Sequence, residues 1–279
     1  MDNLNNAKKD NFSRKTILVT GAAGFIGSRL IVELLREGHQ VIAALRNAAT
    51  KKDKLLGFIA TQGLADPSIS FVEYDLSRDF KLDSLLSDAQ TKIHVIYHLA
   101  ASFNWGISKA EAERTNIKSG LALIEWAATL KQLERFIWIG GYRVAAPPQE
   151  SADELYCKHG GYEASKILGY QAFIEACKRL NMPWTAINPA TVIDGFYNYG
   201  DMQYIGIADM IDKLYQGRLL ALPGGRDTFL PLCNMQYIVS FLIRTMSYPE
   251  TIAQEYMLLD PATPKFHRLV HLAAEHLGV

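Results

Sequence analysis

Tyr162 and Lys166 are the two residues of this chain whose types and spacing most directly suggest chemistry. They stand four positions apart, so a helix would place both side chains on one face. An isolated tyrosine titrates at about 10, and a lysine cation beside it favours the phenolate and lowers that pKa. Such a tyrosine can donate a proton to a carbonyl oxygen as hydride reaches the carbon, or take one from an alcohol. An exposed amphipathic helix would give the same spacing, so the interpretation depends on the surrounding elements.

A glycine-rich turn, Thr20-Gly-Ala-Ala-Gly-Phe-Ile-Gly27, supplies part of that context. The apolar run at 16–19 predicts a buried strand before it, and the apolar spacing at 28–36 predicts a helix after it. Glycines in such a turn permit a tight bend and a close approach of a pyrophosphate to the helix N-terminus. A turn that binds nothing is the alternative, but the flanking strand and helix favour a dinucleotide site. We expect the turn to contribute Gly21, Ala23, Gly24, Phe25 and Ile26.

The end of the second predicted strand, residues 40–45, bears on the choice of cofactor. An acidic residue there would accept from the ribose 2′-hydroxyl of NAD, whereas an arginine accommodates the 2′-phosphate of NADP. This strand is followed by Arg46, and the first acidic residue beyond it is Asp53. Arg46 therefore favours NADP, since a guanidinium grips phosphate in a fork. The alternative is that Arg46 and the lysines after it form a solvated surface.

Two further strand ends are predicted to reach the same edge of the sheet. Residues 69–74 alternate and end at Asp75-Leu76, where the aspartate could accept from an adenine amino group or cap the next helix. Residues 92–98 end at His98, followed by Leu99-Ala100-Ala101, whose small side chains let the backbone run close to a flat ligand. His98 itself is better explained as a packed strand-end histidine than as a catalytic base.

The alternation of strands and helices predicts an α/β fold with a parallel, doubly wound Rossmann sheet and a small C-terminal substrate lobe. Ligands of such sheets bind beyond the carboxyl ends of the strands, where the turns described above lie. We expect a flexible arm at 1–15, a dinucleotide-binding domain at 16–194 and mainly a substrate-binding lobe at 195–279, part of which returns to the sheet. Further predicted elements are strands at 135–139, 184–188, 219–222, 229–232 and 255–259, helices at 52–62, 79–87, 108–130, 162–180, 204–216, 234–246 and 266–277, and a loop at 142–160.

The composition argues against several other classes of protein. Lysine plus arginine and aspartate plus glutamate balance at 29 each in 279 residues, so no global field recruits nucleic acid or an anionic membrane. No apolar run approaches the length of a membrane span, and the polar residues 1–15 lack the apolar core of a signal peptide. Cys157, Cys177 and Cys233 are far apart and lack metal-binding spacing, so we predict reduced thiols, no metal and a cytoplasmic location.

The sequence resembles the extended short-chain dehydrogenase/reductases of the NAD-dependent epimerase/dehydratase superfamily. Six motifs carry the resemblance, in family order from residue 15 to about residue 195: the glycine turn, Asp75-Leu76, His98-Leu-Ala-Ala101, Asn116, Tyr162-Glu-Ala-Ser-Lys166 and Asn188-Pro-Ala-Thr-Val192. Within the family, Arg46 and the Asn-Pro-Ala-Thr-Val run are most similar to dihydroflavonol-reductase-like, NADP-dependent carbonyl reductases.

This resemblance implies a role for each matching residue. Tyr162 would be the general acid/base, and Lys166 would bind the nicotinamide ribose and tune the tyrosine. Ala100 and Ala101 would line the path from adenosine to nicotinamide. The residues beside the nicotinamide would be Pro189, Thr191 and Val192. The resemblance also implies NADP as cofactor and a small-molecule substrate, and it would allow a homodimer through a four-helix bundle.

One position departs from the family pattern. The family usually places a serine or threonine after the fifth strand, where its hydroxyl polarises the substrate carbonyl, and the aligned residue here is Gly141. Losing such a donor costs about 2.7–4 kcal/mol of transition-state stabilisation. Ser102, Tyr142 or Asn104 could supply the donor, a water could stand in, or the protein could be a weak enzyme or no enzyme. Aromatic residues expected to line an apolar substrate pocket are Phe103, Trp105, Phe196, Tyr197 and Tyr199.

Three functions are compatible with these features. The leading hypothesis is an NADP-dependent oxidoreductase that reduces a carbonyl, or oxidises an alcohol, of a small organic substrate. A sugar-nucleotide epimerase or dehydratase is an alternative, and it needs basic contacts for a diphosphate in the second half of the chain. A non-catalytic NADP(H)-sensing protein is favoured by Gly141 and disfavoured by the intact pair of Tyr162 and Lys166.

Overall fold

The structure, a computed structural model, describes residues 14–78, 92–104, 106–144, 149–194, 206–222, 224–225 and 227–279. Its strands are β1 (Thr16–Thr20), β2 (Gln40–Leu45), β3 (Ile69–Glu73), β4 (Val95–His98), β5 (Arg135–Ile139), β6 (Trp184–Pro189), β7 (Thr191–Ile193), β8 (Leu232–Asn234) and β9 (Gln254–Leu258). Its α-helices are α1 (Phe25–Arg36), α2 (Ala48–Thr61), α3 (Lys109–Ala112), α4 (Ser119–Ala127), α5 (Ala152–Arg179), α6 (Ile207–Tyr215), α7 (Met235–Thr245) and α8 (Phe266–Leu277). A π-helical turn (Glu113–Lys118) joins α3 to α4, and a 3₁₀ turn spans Pro249–Thr251.

Seven parallel strands form one sheet in the order β3-β2-β1-β4-β5-β6-β9. The strands β1, β4, β5 and β6 are buried along their whole length, as strands covered on both faces require. The direction of winding reverses between β1 and β4, and sheets of this kind bind ligands beyond the strand ends at such a switch point. The predicted doubly wound α/β fold is confirmed.

Alternate side chains of β1 enter two separate layers of the core. Ile17 and Val19 belong to the layer that contains residues of α1, α2 and α7. Leu18 belongs to the opposite layer, with residues of α4 and α5. Each such side chain contributes about 1.5–3 kcal/mol when it is fully buried. The strand is therefore fixed from both sides, and so is the glycine turn that follows it.

All seven strands of this sheet were predicted from their apolar runs. The largest difference is at β4, which begins at Val95 rather than at residue 92. The last strand, β9, pairs in parallel with β6, so the C-terminal part of the chain does return to the sheet. The predicted helix at 266–277 coincides with α8, and α2 begins at Ala48, four residues before the predicted start.

The prediction of a loop at 142–160 is wrong in its second half, because α5 begins at Ala152. Ser151 caps the helix, and its backbone N donates to the carboxylate of Glu154 at 2.8 Å. This Ser-x-x-Glu capping box was a readable signal in the sequence. At Gly160 the backbone leaves helical geometry, with φ 74° and ψ 176°, so α5 consists of two segments. The second segment starts close to the predicted residue, Tyr162.

Two short strands predicted in the C-terminal lobe are wrong. Residues 219–222 have no regular structure, and the run at 229–232 precedes β8, which begins only at Leu232. β8 pairs with β7 in a separate two-stranded sheet. The apolar runs do not pair as strands because Leu219 and Leu230 instead pack against a small cluster formed by α6 and α8.

Some predictions lie outside the described residues. They concern the helix at 79–87, most of the N-terminal arm, and the aromatic residues Trp105, Phe196, Tyr197 and Tyr199. Among the described helices, none is both long enough and apolar enough to cross a membrane. In the same part of the chain, no group of three or more His, Cys, Asp or Glu side chains could hold a metal ion.

Candidate active site

The glycine turn between β1 and α1 is shaped by close backbone contacts. Gly21 has a φ of 67°, in the left-handed region that glycine adopts without strain. A Cβ on Gly21 would lie 2.9 Å from the nitrogen of Ala100, and one on Gly27 would lie 2.3 Å from the carbonyl oxygen of Gly21. Gly24 caps α1 without a side chain, so its cap leaves the first amides of the helix to other partners.

A crevice of about 400 Å³ opens from this turn along the carboxyl edge of the sheet. The sequence-predicted residues that line it are Gly21, Ala23, Gly24, Arg46, Asp75, Leu76, Leu99, Ala100, Ala101, Ser102 and Phe103. Lining residues that were not predicted as site residues are Ala22, Ala44, Leu45, Lys51, Tyr74, Ser77, Glu111 and Thr115. Four of these eight residues, Ala22, Leu45, Tyr74 and Ser77, are adjacent in the chain to predicted ones. Glu111 and Thr115 reach the crevice through tertiary packing of the helix after β4, which no local pattern encodes.

A larger cavity of about 550 Å³ lies between α1 and α7. Its lining includes Arg29, whose Nε donates to Asp194 at 3.0 Å, but no residue predicted for cofactor or substrate. The smaller crevice is the candidate site because it combines the glycine turn with the polar strand ends.

Asp75 lies in the part of the crevice farthest along the sheet edge, after β3. Its Oδ1 accepts hydrogen bonds from the backbone N and from the Oγ of Ser77, at 2.9 and 2.8 Å. Burial acts to raise the pKa of Asp75, but these hydrogen bonds and the charges of Arg78 and Arg46 hold that pKa below its usual range. The carboxylate therefore shapes the turn that follows β3. Its other oxygen, Oδ2, lies 3.5 Å from Nε of Arg78.

His98 is a packed residue that fixes the chain after β4. The Oγ1 of Thr20 accepts from the N of Ala100 at 3.3 Å and lies 2.8 Å from Nδ1 of His98. Burial, with a smaller effect from the charge of Lys166, lowers the pKa of His98 to about 3, so the ring is neutral. Its centroid is 4.7 Å from that of Trp138. A buried, neutral ring bonded to a threonine fits the packing interpretation better than a catalytic base.

Tyr162 and Lys166 lie on the second segment of α5. A Cβ on Gly161 would lie 2.2 Å from the carbonyl oxygen of Ile107, so this segment begins in close contact with the chain that follows β4. The ring of Tyr162 packs edge-on against Phe103, with the centroids 4.6 Å apart. Because Phe103 lines the crevice, this contact places the candidate acid beside it.

The expected lowering of the tyrosine pKa by Lys166 is wrong in direction. Burial, with a smaller contribution from Glu163, raises the pKa of Tyr162 to about 12. Burial lowers the pKa of Lys166 to about 8. Both shifts follow from removing the groups from water, which disfavours the charged form of each. At neutral pH the pair is therefore a neutral phenol and a lysine that is mainly cationic.

Asn116 connects the chain after β4 to the helix that carries Tyr162. It lies in the π-helical turn inside the predicted helix at 108–130. Its Oδ1 accepts from the N of Ser102 at 2.7 Å, and its Nδ2 donates to the carbonyl of Ser102 at 3.2 Å and to Oγ of Ser165 at 3.0 Å. Ser165 Oγ donates to the carbonyl of Tyr162 at 2.8 Å. Single π turns recur at functional sites, and this one fixes Ser102 relative to Tyr162.

The chain after β5 contains two glycines in different surroundings. A Cβ on Gly140 would lie 2.0 Å from Oδ1 of Asn188, whereas one on Gly141 would meet no described atom outside its chain neighbours within 4 Å. The N–H of Gly141 donates to Asn188 Oδ1 at 3.3 Å, and Asn188 Nδ2 donates to the hydroxyl of Tyr170 at 2.9 Å. That hydroxyl donates to Glu255. The backbone donor of Gly141 is therefore already bonded within this network.

The three candidates for the missing hydroxyl donor differ in position. Ser102 lines the crevice, and both of its backbone groups are held by Asn116. Asn104 accepts from the N of Gly106 at 3.0 Å in a local turn, and Tyr142 is 43% exposed. Of these three residues, only Ser102 belongs to the lining.

Several predicted cofactor residues are not among the lining residues of the crevice. They are Phe25, Ile26, Lys166, Pro189, Thr191 and Val192. Phe25 is exposed at the start of α1, and Pro189 ends β6. Ile26, Val192 and the lining residue Leu99 pack against the same hydrophobic layer, on one face of the sheet.

The glycine turn, the doubly wound sheet and the pair on α5 can be compared with known proteins. The profile of the NAD dependent epimerase/dehydratase family matches residues 17–255. The chain belongs to this family. The resemblance to extended short-chain dehydrogenase/reductases, inferred from six motifs, is thereby confirmed.

The curated relatives of this chain include reductases and dehydrogenases. Dihydroflavonol 4-reductase from Callistephus chinensis is 26% identical over 202 residues, which cover 67% of this chain and 54% of the relative. D-erythronate dehydrogenase from Cupriavidus necator is 27% identical over 188 residues, which cover 62% of this chain and 56% of the relative. The chain thus spans about half the length of these curated relatives.

Solved structures of similar proteins share the fold. The terminal R domain from the myxalamid PKS-NRPS biosynthetic pathway has a TM-score of 0.72 at 21% identity, covering 93% of this chain and 69% of that one. UDP-glucuronic acid 4-epimerase from Bacillus cereus, in complex with UDP-glucuronic acid and NAD, also has a TM-score of 0.72 at 21% identity, covering 95% and 83%. At this identity the likeness establishes the architecture alone.

Proposed function

We propose that the protein is an oxidoreductase that uses a nicotinamide cofactor, NADP, to reduce a carbonyl group of a small organic substrate. The observation that carries this proposal is the contact of Tyr162 with Phe103 at a crevice that begins at the glycine turn. The named relatives, a reductase and a dehydrogenase, support the reaction class. A structural neighbour that contains NAD supports the cofactor class.

The residues of the crevice fit a dinucleotide. Gly21 and Gly27 allow the close backbone packing that forms the turn. The first turn of α1 contains no acidic residue, so a pyrophosphate can approach the helix N-terminus. Arg46 and Lys51 line the far part of the crevice, where they would hold the 2′-phosphate. The bound cofactor would supply the hydride.

Tyr162 would donate the proton. Because burial raises its pKa to about 12, the phenol is protonated at neutral pH, which is the form that can donate to a carbonyl oxygen. Lys166, with a pKa of about 8, is mainly cationic and would bind a ribose hydroxyl and stabilise the phenolate that forms.

Ser102 would donate the hydrogen bond to the substrate carbonyl that Gly141, which has no hydroxyl, cannot donate. It lines the crevice next to Phe103, the residue that touches Tyr162. Asn116 holds its backbone on both sides, so the position of its Cβ is fixed. A hydroxyl preorganised in this way is worth about 10²-fold or more in turnover when it stabilises a developing oxyanion.

Oxidation of NADPH in the presence of a panel of aldehydes and ketones tests this function. We expect turnover by the wild-type protein, and Tyr162→Phe should lower it by about 10²–10⁴-fold while NADPH binding persists. Tyr215→Phe is the matched control, since Tyr215 is 63% exposed on α6 and contributes to no part of the crevice.

Two other results would each reject the proposal. Tight NADPH binding without turnover of any carbonyl would identify a cofactor sensor, the function that Gly141 favours. Interconversion of a nucleotide sugar without net consumption of cofactor would identify an epimerase.

A further inference from the structure

Glu73, the last residue of β3, binds the start of α2. Its Oε1 accepts from the N of Asn47 at 2.8 Å, and its Oε2 accepts from the N of Ala48 at 2.7 Å. Asn47 has a left-handed backbone, with φ 59° and ψ 57°, and its own side chain does not cap the helix. A carboxylate from the neighbouring strand therefore accepts from the amides of the N-cap residue and of the first helical residue, which have no acceptor within the helix.

This carboxylate lies next to the end of β2, the strand end that was predicted to determine the choice of cofactor. Leu45 is the register partner of Glu73 across β2 and β3, and Arg46 follows immediately. Arg46 and Lys51 line the crevice there together with Asp75. The far part of the crevice thus contains two cations and Asp75, and Glu73 sits against the backbone beside them.

A phosphate at the ribose 2′ position would normally use both kinds of group present here. Basic side chains grip its oxygens, and the first amides of a helix complement its charge. In this chain, two amides at the start of α2 already donate to Glu73. Glu73 does not line the crevice, but its carboxylate lies beside the residues that precede and follow Arg46, so its negative charge opposes a dianion bound there. A cofactor without the 2′-phosphate meets less of this repulsion.

We propose that Glu73 is a specificity-determining residue that reduces the preference for a 2′-phosphorylated cofactor, so that Arg46 gives weaker discrimination than its charge alone would produce. This inference rests on the proposed function, because it concerns the cofactor end of the same crevice. Glu73 acts through its charge. A glutamine removes that charge and keeps one of the two acceptor oxygens, so the capping role is weakened but not lost.

Calorimetric binding of two nicotinamide-free fragments, ADP-ribose and 2′-phospho-ADP-ribose, tests the inference without any need for turnover. The Glu73→Gln variant should raise the affinity ratio in favour of the 2′-phosphorylated fragment by about 10-fold at low ionic strength, and less at high salt. Asp53→Asn is the matched control, because it removes the same charge from an exposed position on α2. We expect that control to change the ratio by less than about 2-fold, since an exposed charge is screened.

The substitutions are also made in an Asn47→Gly background. Glycine relieves the left-handed strain at position 47, which offsets a weaker cap and keeps α2 folded. An unchanged affinity ratio in Glu73→Gln, in both backgrounds, would show that Glu73 is only a cap and would overturn the inference. Failure of the wild-type protein to bind either fragment would instead reject the proposed function.

Discussion

The glycine turn after β1 and the glycine pair after β5 lie at the same edge of one sheet, and they differ in why glycine is present. At Gly27 a Cβ would lie 2.3 Å from a backbone oxygen of the turn itself. At Gly141 a Cβ would meet no described atom beyond its chain neighbours within 4 Å, and the φ of Gly141 is not positive. Backbone packing requires glycine at position 27, whereas the space around position 141 would accept a side chain.

The cofactor end and the chemical end of the site are therefore built in different ways. The glycine turn at the cofactor end is made of backbone, so few sequences can form it and its glycine pattern is informative. The chemical end is made of side chains held by a hydrogen-bond network through Asn116, so a missing hydroxyl at one position can be supplied from another. Four experiments test whether backbone builds the glycine turn and side chains build the chemical end, from the largest expected effect to the smallest.

Adding one methyl group at each glycine tests the difference directly. Gly27→Ala should weaken NADPH binding by at least about 10²-fold and lower the free energy of unfolding by about 1–3 kcal/mol, because a Cβ overlaps the turn. Gly141→Ala should leave both quantities close to their wild-type values, because the Cβ enters open space. Fluorescence titration with NADPH and urea unfolding measure the two effects. Wild-type binding by Gly27→Ala would mean that the turn does not hold the cofactor.

Removing the hydroxyl of Ser102 tests the side-chain end. Ser102→Ala should lower kcat by about 10²-fold with little change in the dissociation constant of NADPH, because the hydroxyl is needed only as the oxyanion develops. Ser77→Ala is the control, since Ser77 lines the other part of the crevice and should alter cofactor binding rather than kcat. Single-turnover rates separate the two outcomes. A normal kcat in Ser102→Ala would exclude this serine as the donor.

A hydroxyl introduced at position 141 should raise kcat, in contrast to the loss in Ser102→Ala, and by a smaller factor. In the Ser102→Ala background, Gly141→Ser should raise kcat by about 10-fold, because the open space accepts the side chain and a second donor replaces the first. In the wild-type background the gain should be less than this, since one donor already serves the carbonyl. Measured kcat values of the four combinations form a double-mutant cycle. Strict additivity would contradict the idea that the two hydroxyls have one role.

The sequence allowed prediction of features that depend on local chain geometry. The apolar runs predicted all seven strands of the main sheet, and the glycine turn predicted the crevice at its edge. The start of α5 at Ala152 was missed although Ser151 and Glu154 encode it. These features were accessible because propensity, capping and turn geometry act over a few residues.

The missed features depend on contacts between distant parts of the chain. Glu73 reaches α2 across 25 residues, and Asn188 reaches Gly141 across 47. The π-helical turn that positions Asn116 interrupts a run that reads as ordinary helix. The direction of the Tyr162 pKa shift was wrong for the same reason, because spacing along a helix does not show how deeply the pair is buried.

The smallest predicted effect concerns stability at the side-chain end. Burial lowers the pKa of Lys166 from 10.5 to about 8, so between these values the folded protein binds fewer protons than the unfolded chain. The free energy of unfolding contributed by this group must therefore rise with pH across that window, and the cost of the buried cation is fully present below pH 8. Lys166→Met should remove this pH dependence and stabilise the protein at pH 7 by on the order of 1 kcal/mol, while it impairs turnover.

Urea unfolding from pH 7 to 10.5 measures the difference between wild type and Lys166→Met, which cancels the titration of other groups. Lys178→Met, an exposed lysine on the same helix, is the control and should give a nearly constant difference. If the wild-type protein did not gain stability relative to Lys166→Met as the pH rises, Lys166 would not be a buried cation. A confirmed gain would show that the side-chain end of the site is maintained at a cost to stability, whereas the glycine turn at the cofactor end satisfies folding and binding with the same geometry.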